Sequence, residues 1–108
     1  MLDEQQFKTR ADQALNDLHR GLMHAGDQHG FESDTNSGAL TIEFEDGTRF
    51  VVSPNSPVRQ IWVSALMRSF KLDWEDARGA FVYPETGATL QDLTATVIAQ
   101  QLGEPIAL

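Results

Sequence analysis

Two kinds of apolar spacing run along this chain and divide it into three parts. Phe7, Ala11, Ala14, Leu15, Leu18 and Leu22 follow i, i+4, i+7, i+8, i+11, i+15 spacing. That is one face of a helix, and Asp12, Asn16, Asp17, His19, Arg20 and Met23 fall largely outside it. Asp3 with Gln6 three residues on forms a capping box, and Leu2 with Phe7 fits a hydrophobic staple. The pattern predicts a helix from residue 3 to about 23, fraying by Ala25-Gly26 into the polar stretch Asp27-Gln28-His29-Gly30.

The period then becomes two. Leu40, Ile42 and Phe44 point inward and Thr41, Glu43 and Glu45 outward, before the hairpin signal Asp46-Gly47. A two-residue loop would place Arg49 on the core face. A three-residue loop with Gly47 left-handed pairs Ile42 with Phe50 and Glu43 with Arg49, which keeps the charge outside, so this register is expected. Pro54 and Pro57 bound a turn. The run from Pro57 to Ser64 reads as a strand with Ile61 and Val63 inward and Gln60, Trp62 and Ser64 outward. Phe70, Leu72 and Trp74 alternate with Ser69, Lys71 and Asp73, and Phe81-Val82-Tyr83 is a short strand. Thr89 with Asp92 caps a second helix that buries Leu90, Leu93, Val97 and Leu102 and ends at Gly103 and Pro105, with Ile106 and Leu108 placed to fold back.

Short connections between strands imply an antiparallel sheet. Two helices with one apolar stripe each must share its apolar face. The expected fold is α+β: a two-layer sandwich in which two terminal helices pack on one face of an antiparallel sheet of about six strands, forming a single domain over residues 1–108. The other face is left to solvent, and a large aromatic there, Trp62, is a candidate contact for a partner. An edge tryptophan covered by a loop is the plainer alternative.

Charge and residue inventory narrow the chemistry. With no cysteine among 108 residues, disulfides, thiol nucleophiles and thiolate-held metals are excluded. A formal charge of −8 disfavours nucleic acid and anionic membranes as partners. The N-terminus lacks the basic start and apolar run of a leader, and no stretch has membrane length, so a soluble cytoplasmic protein is expected. Residues 1–46 hold ten of the sixteen acids against Lys8, Arg10 and Arg20, a concentration that attracts cations or a basic protein.

His19, His24 and His29 match no nucleophile–base spacing, and no phosphate loop, HExxH or EF-hand motif is present, so no enzyme is expected. Carboxylates are hard ligands for Mg, Ca, Mn and oxidised iron, and imidazole adds affinity for Fe(II), Ni or Zn. Asp12 and Asp17, with Asp27, Glu32, Asp34, Glu43 and Glu45, are candidates, and His24, Asp27 and His29 form a looser set. No two helix acids stand at i, i+4, so any such site is exposed, shallow and weak. A simply solvated acidic surface is the competing reading.

Four segments together resemble the frataxin family, specifically its bacterial CyaY type: Leu40 to Gly47; Pro57-Val58-Arg59-Gln60-Ile61-Trp62-Val63-Ser64; Leu72-Asp73-Trp74; and Gly87-Ala88-Thr89-Leu90-Gln91-Asp92-Leu93. Phe7 and Ala11-Asp12 fit the family's first helix, and the likeness runs from about residue 4 to Gly103. It implies the two-helix, open-sheet fold and weak binding of Fe(II) or Fe(III) on an exposed acidic ridge formed by Glu4, Asp12, Asp17, Glu32, Asp34 and Glu45. It also implies regulation of, or iron supply to, iron–sulfur cluster assembly through the cysteine desulfurase and its scaffold protein. The open-face contact is then Trp62 with Gln60 and Lys71. A monomer is expected, with iron-dependent oligomers as the alternative. A purely protein-binding acidic regulator with incidental metal binding is the other reading. Two departures stand out. The dense acidic run usual at the end of the first helix is reduced to Asp27 among histidines, and Phe81 stands where a second tryptophan is common.

Overall fold

A computed structural model describes residues 2–108. Its elements are α1 (Glu4–His29), β1 (Phe31–Asn36), β2 (Ala39–Phe44), β3 (Arg49–Asn55), β4 (Gln60–Ala65), β5 (Arg68–Glu75), β6 (Ala80–Tyr83), β7 (Ala88–Thr89) and α2 (Leu90–Leu102). The strands form one antiparallel meander in chain order, and the helices cover one face. Seven strands replace the expected six or so. β1 buries only Phe31 fully and β7 has two residues, so neither carries the apolar alternation that marks a strand in sequence.

The start of α1 follows its capping signature: the Asp3 carboxylate accepts from the Gln6 backbone N–H at 2.7 Å, and Gln6 Oε1 accepts from the Asp3 N–H at 3.1 Å. Its end does not follow the expectation. The helix continues through Ala25-Gly26 to His29 and stops at Gly30, whose φ of 80° and N–H to the Gly26 carbonyl form a left-handed cap. Gly26 is there for space. A Cβ on it would lie 2.3 Å from the Phe31 carbonyl oxygen, because β1 turns back directly against the helix.

The β2–β3 register is the expected one, with Ile42 opposite Phe50 and Glu43 opposite Arg49. Arg49 Nε donates to Glu43 Oε2 at 2.9 Å outside the core, and Gly47 is left-handed at φ 88°. Strand β4 begins at Gln60, not Pro57: Ser56–Val58 form a 3₁₀ turn, and Arg59 is left-handed. The β4–β5 hairpin reverses in two residues, Leu66 and Met67, with φ of 54° and 60°. Both turn positions are left-handed, the geometry that favours Asn-Gly, and neither residue here is a glycine or asparagine. Each such residue costs on the order of 1–3 kcal/mol.

The core joins the inner rows of the sheet to both helices. Phe7 meets Phe81 edge to face, so α1 starts over β6 and crosses the sheet to end against β1. Phe81 is 1% exposed and also packs edge to face against Trp74, with ring centres 5.2 Å apart. The Thr89 hydroxyl accepts from the Asp92 N–H at 3.2 Å, and α2 buries Leu90, Leu93, Thr94, Val97 and Ile98, while Leu102 is only partly covered. Ile106 and Leu108 pack back onto the core as expected.

Candidate functional site

Strand alternation and register sort the outer sheet face into rows. One row runs Ser53, Trp62, Lys71 across β3, β4 and β5, and the next runs Asn55, Gln60, Asp73, Val82. Trp62 therefore stands on the open face, half-buried. Its indole N–H donates to Gln60 Oε1 at 2.9 Å, and Gln60 Nε2 donates to Asp73 Oδ1 at 3.0 Å. Lys71 Nζ lies 4.9 Å from the centre of the indole ring, a cation–π contact worth about 0.5–1 kcal/mol at such a site. Gln60, Trp62 and Lys71 thus form one assembly, with the indole orientation fixed before any partner arrives. Asp73 belongs to it and was absent from the sequence-derived set. Its signal was available: two residues beyond Lys71 on one strand means the same face.

The acids divide into groups. Glu4 lies in the first turn of α1 and Asp27 near its last, about 35 Å apart along the axis. Asp12 and Asp17 are five residues apart, roughly 140° around the helix, and so occupy opposite flanks. Asp12 shares its flank with His19, seven residues on, whose Nδ1 is 2.5 Å from Ser33 Oγ on β1. Asp17 faces the other way, beside a cleft lined by Arg10, Trp74, Phe81 and Leu90, and is paired with Arg20 at 2.5 Å. These helix acids do not converge.

The sheet edge gathers more. Glu32 lies directly opposite Glu43, Asp34 is the next outward residue on β1, and Glu45 follows the last residue of β2. The carboxylate of Glu45 reaches over Gly30, within 3.1 Å of where a Cβ would stand. Four exposed carboxylates therefore share the β1–β2 corner of the open face, offset by the one ion pair to Arg49. Like charges directly opposite on neighbouring strands destabilise a sheet, so a bound cation or basic partner would relieve repulsion there. Glu43 is both a sequence-derived candidate ligand and the partner of Arg49, and it meets Glu32 because β1, which no apolar alternation marks, pairs with β2. Among the described residues no three or more His, Asp or Glu side chains converge tightly enough to form a ready metal site. His24 is exposed, and His29 Nδ1 lies 2.8 Å from Glu104 Oε1, tying the end of α1 to the C-terminal segment.

Helix, seven-stranded antiparallel meander, helix, with both helices on one face, defines an α+β two-layer sandwich with an open sheet. The family model for the frataxin-like domain matches residues 1–104. The chain belongs to that family. Among curated relatives, the "Iron-sulfur cluster assembly protein CyaY" of Dechloromonas aromatica is 31% identical over 107 residues, covering 99% of each chain. The protein of the same description from Azotobacter vinelandii is 27% identical over 101 residues, 92% of each. Of solved structures, the frataxin from Psychromonas ingrahamii matches with a TM-score of 0.74 at 20% identity, over 98% of this chain and 97% of its own. Yeast frataxin gives a TM-score of 0.71 at 20% identity, over 92% and 82%. At that identity the likeness is one of fold.

Proposed function

We propose that this protein acts in iron–sulfur cluster assembly, docking its open sheet face on the cysteine desulfurase–scaffold complex and carrying iron weakly on exposed carboxylates. The observation that carries the docking half is the fixed indole of Trp62, held by Gln60 and flanked by Lys71 on the open face. Aromatic anchors of this kind concentrate binding energy in protein interfaces. The names of the CyaY relatives supply the pathway. For iron, the supporting feature is the Glu32, Asp34, Glu43, Glu45 corner, with Asp12, Asp27 and the other helix acids as outlying, lower-affinity positions. Hard oxygen ligands on an exposed surface suit loose binding completed by water.

A second reading, an acidic protein-binding regulator with incidental metal binding, is favoured by one specific feature: Asp12 and Asp17 sit on opposite flanks of α1, and Asp17 and Glu43 already have arginine partners. Amide shift mapping with Fe(II), and separately with the desulfurase–scaffold complex, tests both. The first reading predicts Fe(II) perturbation centred on residues 32, 34, 43 and 45 at physiological ionic strength, and partner perturbation centred on residues 60, 62 and 71. Partner shifts confined to the helical face would overturn the docking proposal. No Fe(II) perturbation beyond that of a variant lacking the corner carboxylates would leave the second reading.

A further inference from the structure

Between α1, β6 and the start of α2, the helical side of the molecule leaves a cleft of about 340 Å³. Small-molecule sites begin at volumes of this size. The cleft is open because its walls carry Ala14 and Ala80, both half-buried, where longer side chains would fill it. Trp74 and Leu90 complete the apolar wall. The indole of Trp74 is held in place: its N–H donates to Asp76 Oδ1 at 2.6 Å, and its ring meets Phe81 edge to face. The Arg10 guanidinium lies over the same ring, 5.3 Å from its centre.

Two charged residues line the cleft, Arg10 and Asp17. Asp17 is already paired with Arg20 at 2.5 Å. Arg10 has no carboxylate partner among the described residues, so its charge is the uncompensated one. A guanidinium stacked on an indole keeps the N–H donors along its edge, in the plane where a carboxylate can accept two at once. We propose that this cleft binds a small organic acid, with its carboxylate on Arg10 and its apolar body against Trp74, Ala14, Ala80 and Leu90. Trp74 shares the core-facing row of β5 with Phe70 and Leu72, so the site lies across the sheet from Trp62. It is therefore independent of the docking reading. The net charge of −8 opposes anions at long range, which leaves binding weak and dependent on the one contact to Arg10.

The test titrates 3-phenylpropionate into the parent at constant pH and follows backbone amide shifts, with 3-phenylpropionamide as the uncharged control. For the acid, saturable shifts centred on residues 10, 14, 74, 80 and 90 are expected, with a Kd on the order of 1 mM. The amide should bind about tenfold more weakly, the scale of a charge-assisted hydrogen bond. Arg10→Gln should bring the acid down to the affinity of the amide. Ala14→Leu, which fills the cleft, should remove saturable shifts from both probes while thermal melts show the domain still folded. No saturation at the cleft in the parent, or parent-like binding by folded Ala14→Leu, overturns the site. Equal binding of acid and amide, or parent-like binding of the acid by Arg10→Gln, overturns its assignment to carboxylates.

Discussion

Single residues in this protein hold geometry more than they hold charge. Asp46 is the clearest case. Its Oδ1 accepts from the Thr48 backbone N–H at 2.9 Å, and its Oδ2 accepts from Gln101 Nε2 at 3.2 Å, joining the β2–β3 turn to the end of α2. The Thr48 hydrogen bond favours the ionised form and holds the carboxyl below its usual value. Because the folded-state value is depressed, the stabilisation is complete above the unfolded carboxylate range and fades as pH falls through the folded value. The Tm difference between the parent and Asp46→Ala should therefore be largest near neutrality and narrow below about pH 4, as followed by thermal melts across that range. A difference that grows on acidification would contradict the assignment. The same logic of fixed geometry applies to Trp62, whose indole N–H is already satisfied by Gln60. Its rows were legible in sequence because alternation is independent of strand boundaries, even though β4 starts three residues later than expected.

At the scale of elements, α1 and β1 show where sequence patterns lose their force. The stripe and cap of α1 were readable, and so was the β2–β3 register, since each rests on periodicity or on the cost of burying Arg49. The end of α1 was not. Ala25-Gly26 looks like fraying when glycine is judged by helix propensity, whereas its role is to admit the Phe31 carbonyl. The two explanations differ in sign. Propensity alone predicts that Gly26→Ala stabilises the helix by roughly 1 kcal/mol. The close approach predicts destabilisation by about 1–3 kcal/mol, since the obstructing atom is backbone and cannot swing aside. Urea denaturation decides between them. β1 was missed for a related reason: as an edge strand with Glu32, Asp34 and Asn36 outward, it shows a polar run, and its identity comes from pairing with β2. The four carboxylates of the corner are candidates from sequence, and the β1–β2 pairing is what sets Glu32 directly opposite Glu43.

For the molecule as a whole, the separation of surfaces is what gives function its shape. Carboxylates gather at the β1–β2 corner, the middle of the sheet carries Trp62 beside Lys71 and Asp73, and the opposite face is spent on the core. No described helix is long and apolar enough to cross a membrane. The candidate site was half legible in the sequence: Gln60, Trp62 and Lys71 came from alternation, while the eight candidate metal residues, Glu4, Asp12, Asp17, Asp27, Glu32, Asp34, Glu43 and Glu45, came from likeness and composition. In three dimensions those eight spread over two flanks of α1, its two ends and the sheet edge. The central claim is that the open face is a docking surface built around an indole that the fold itself does not need. It is tested most directly by measuring, for Trp62→Ala, both affinity for the desulfurase–scaffold complex and the free energy of unfolding, beside Ile42→Ala as the core reference. The account predicts at least about a tenfold loss of affinity for Trp62→Ala with a stability change of roughly 1 kcal/mol, against about 2–5 kcal/mol for Ile42→Ala. Unchanged affinity, or destabilisation equal to that of Ile42→Ala, would contradict it.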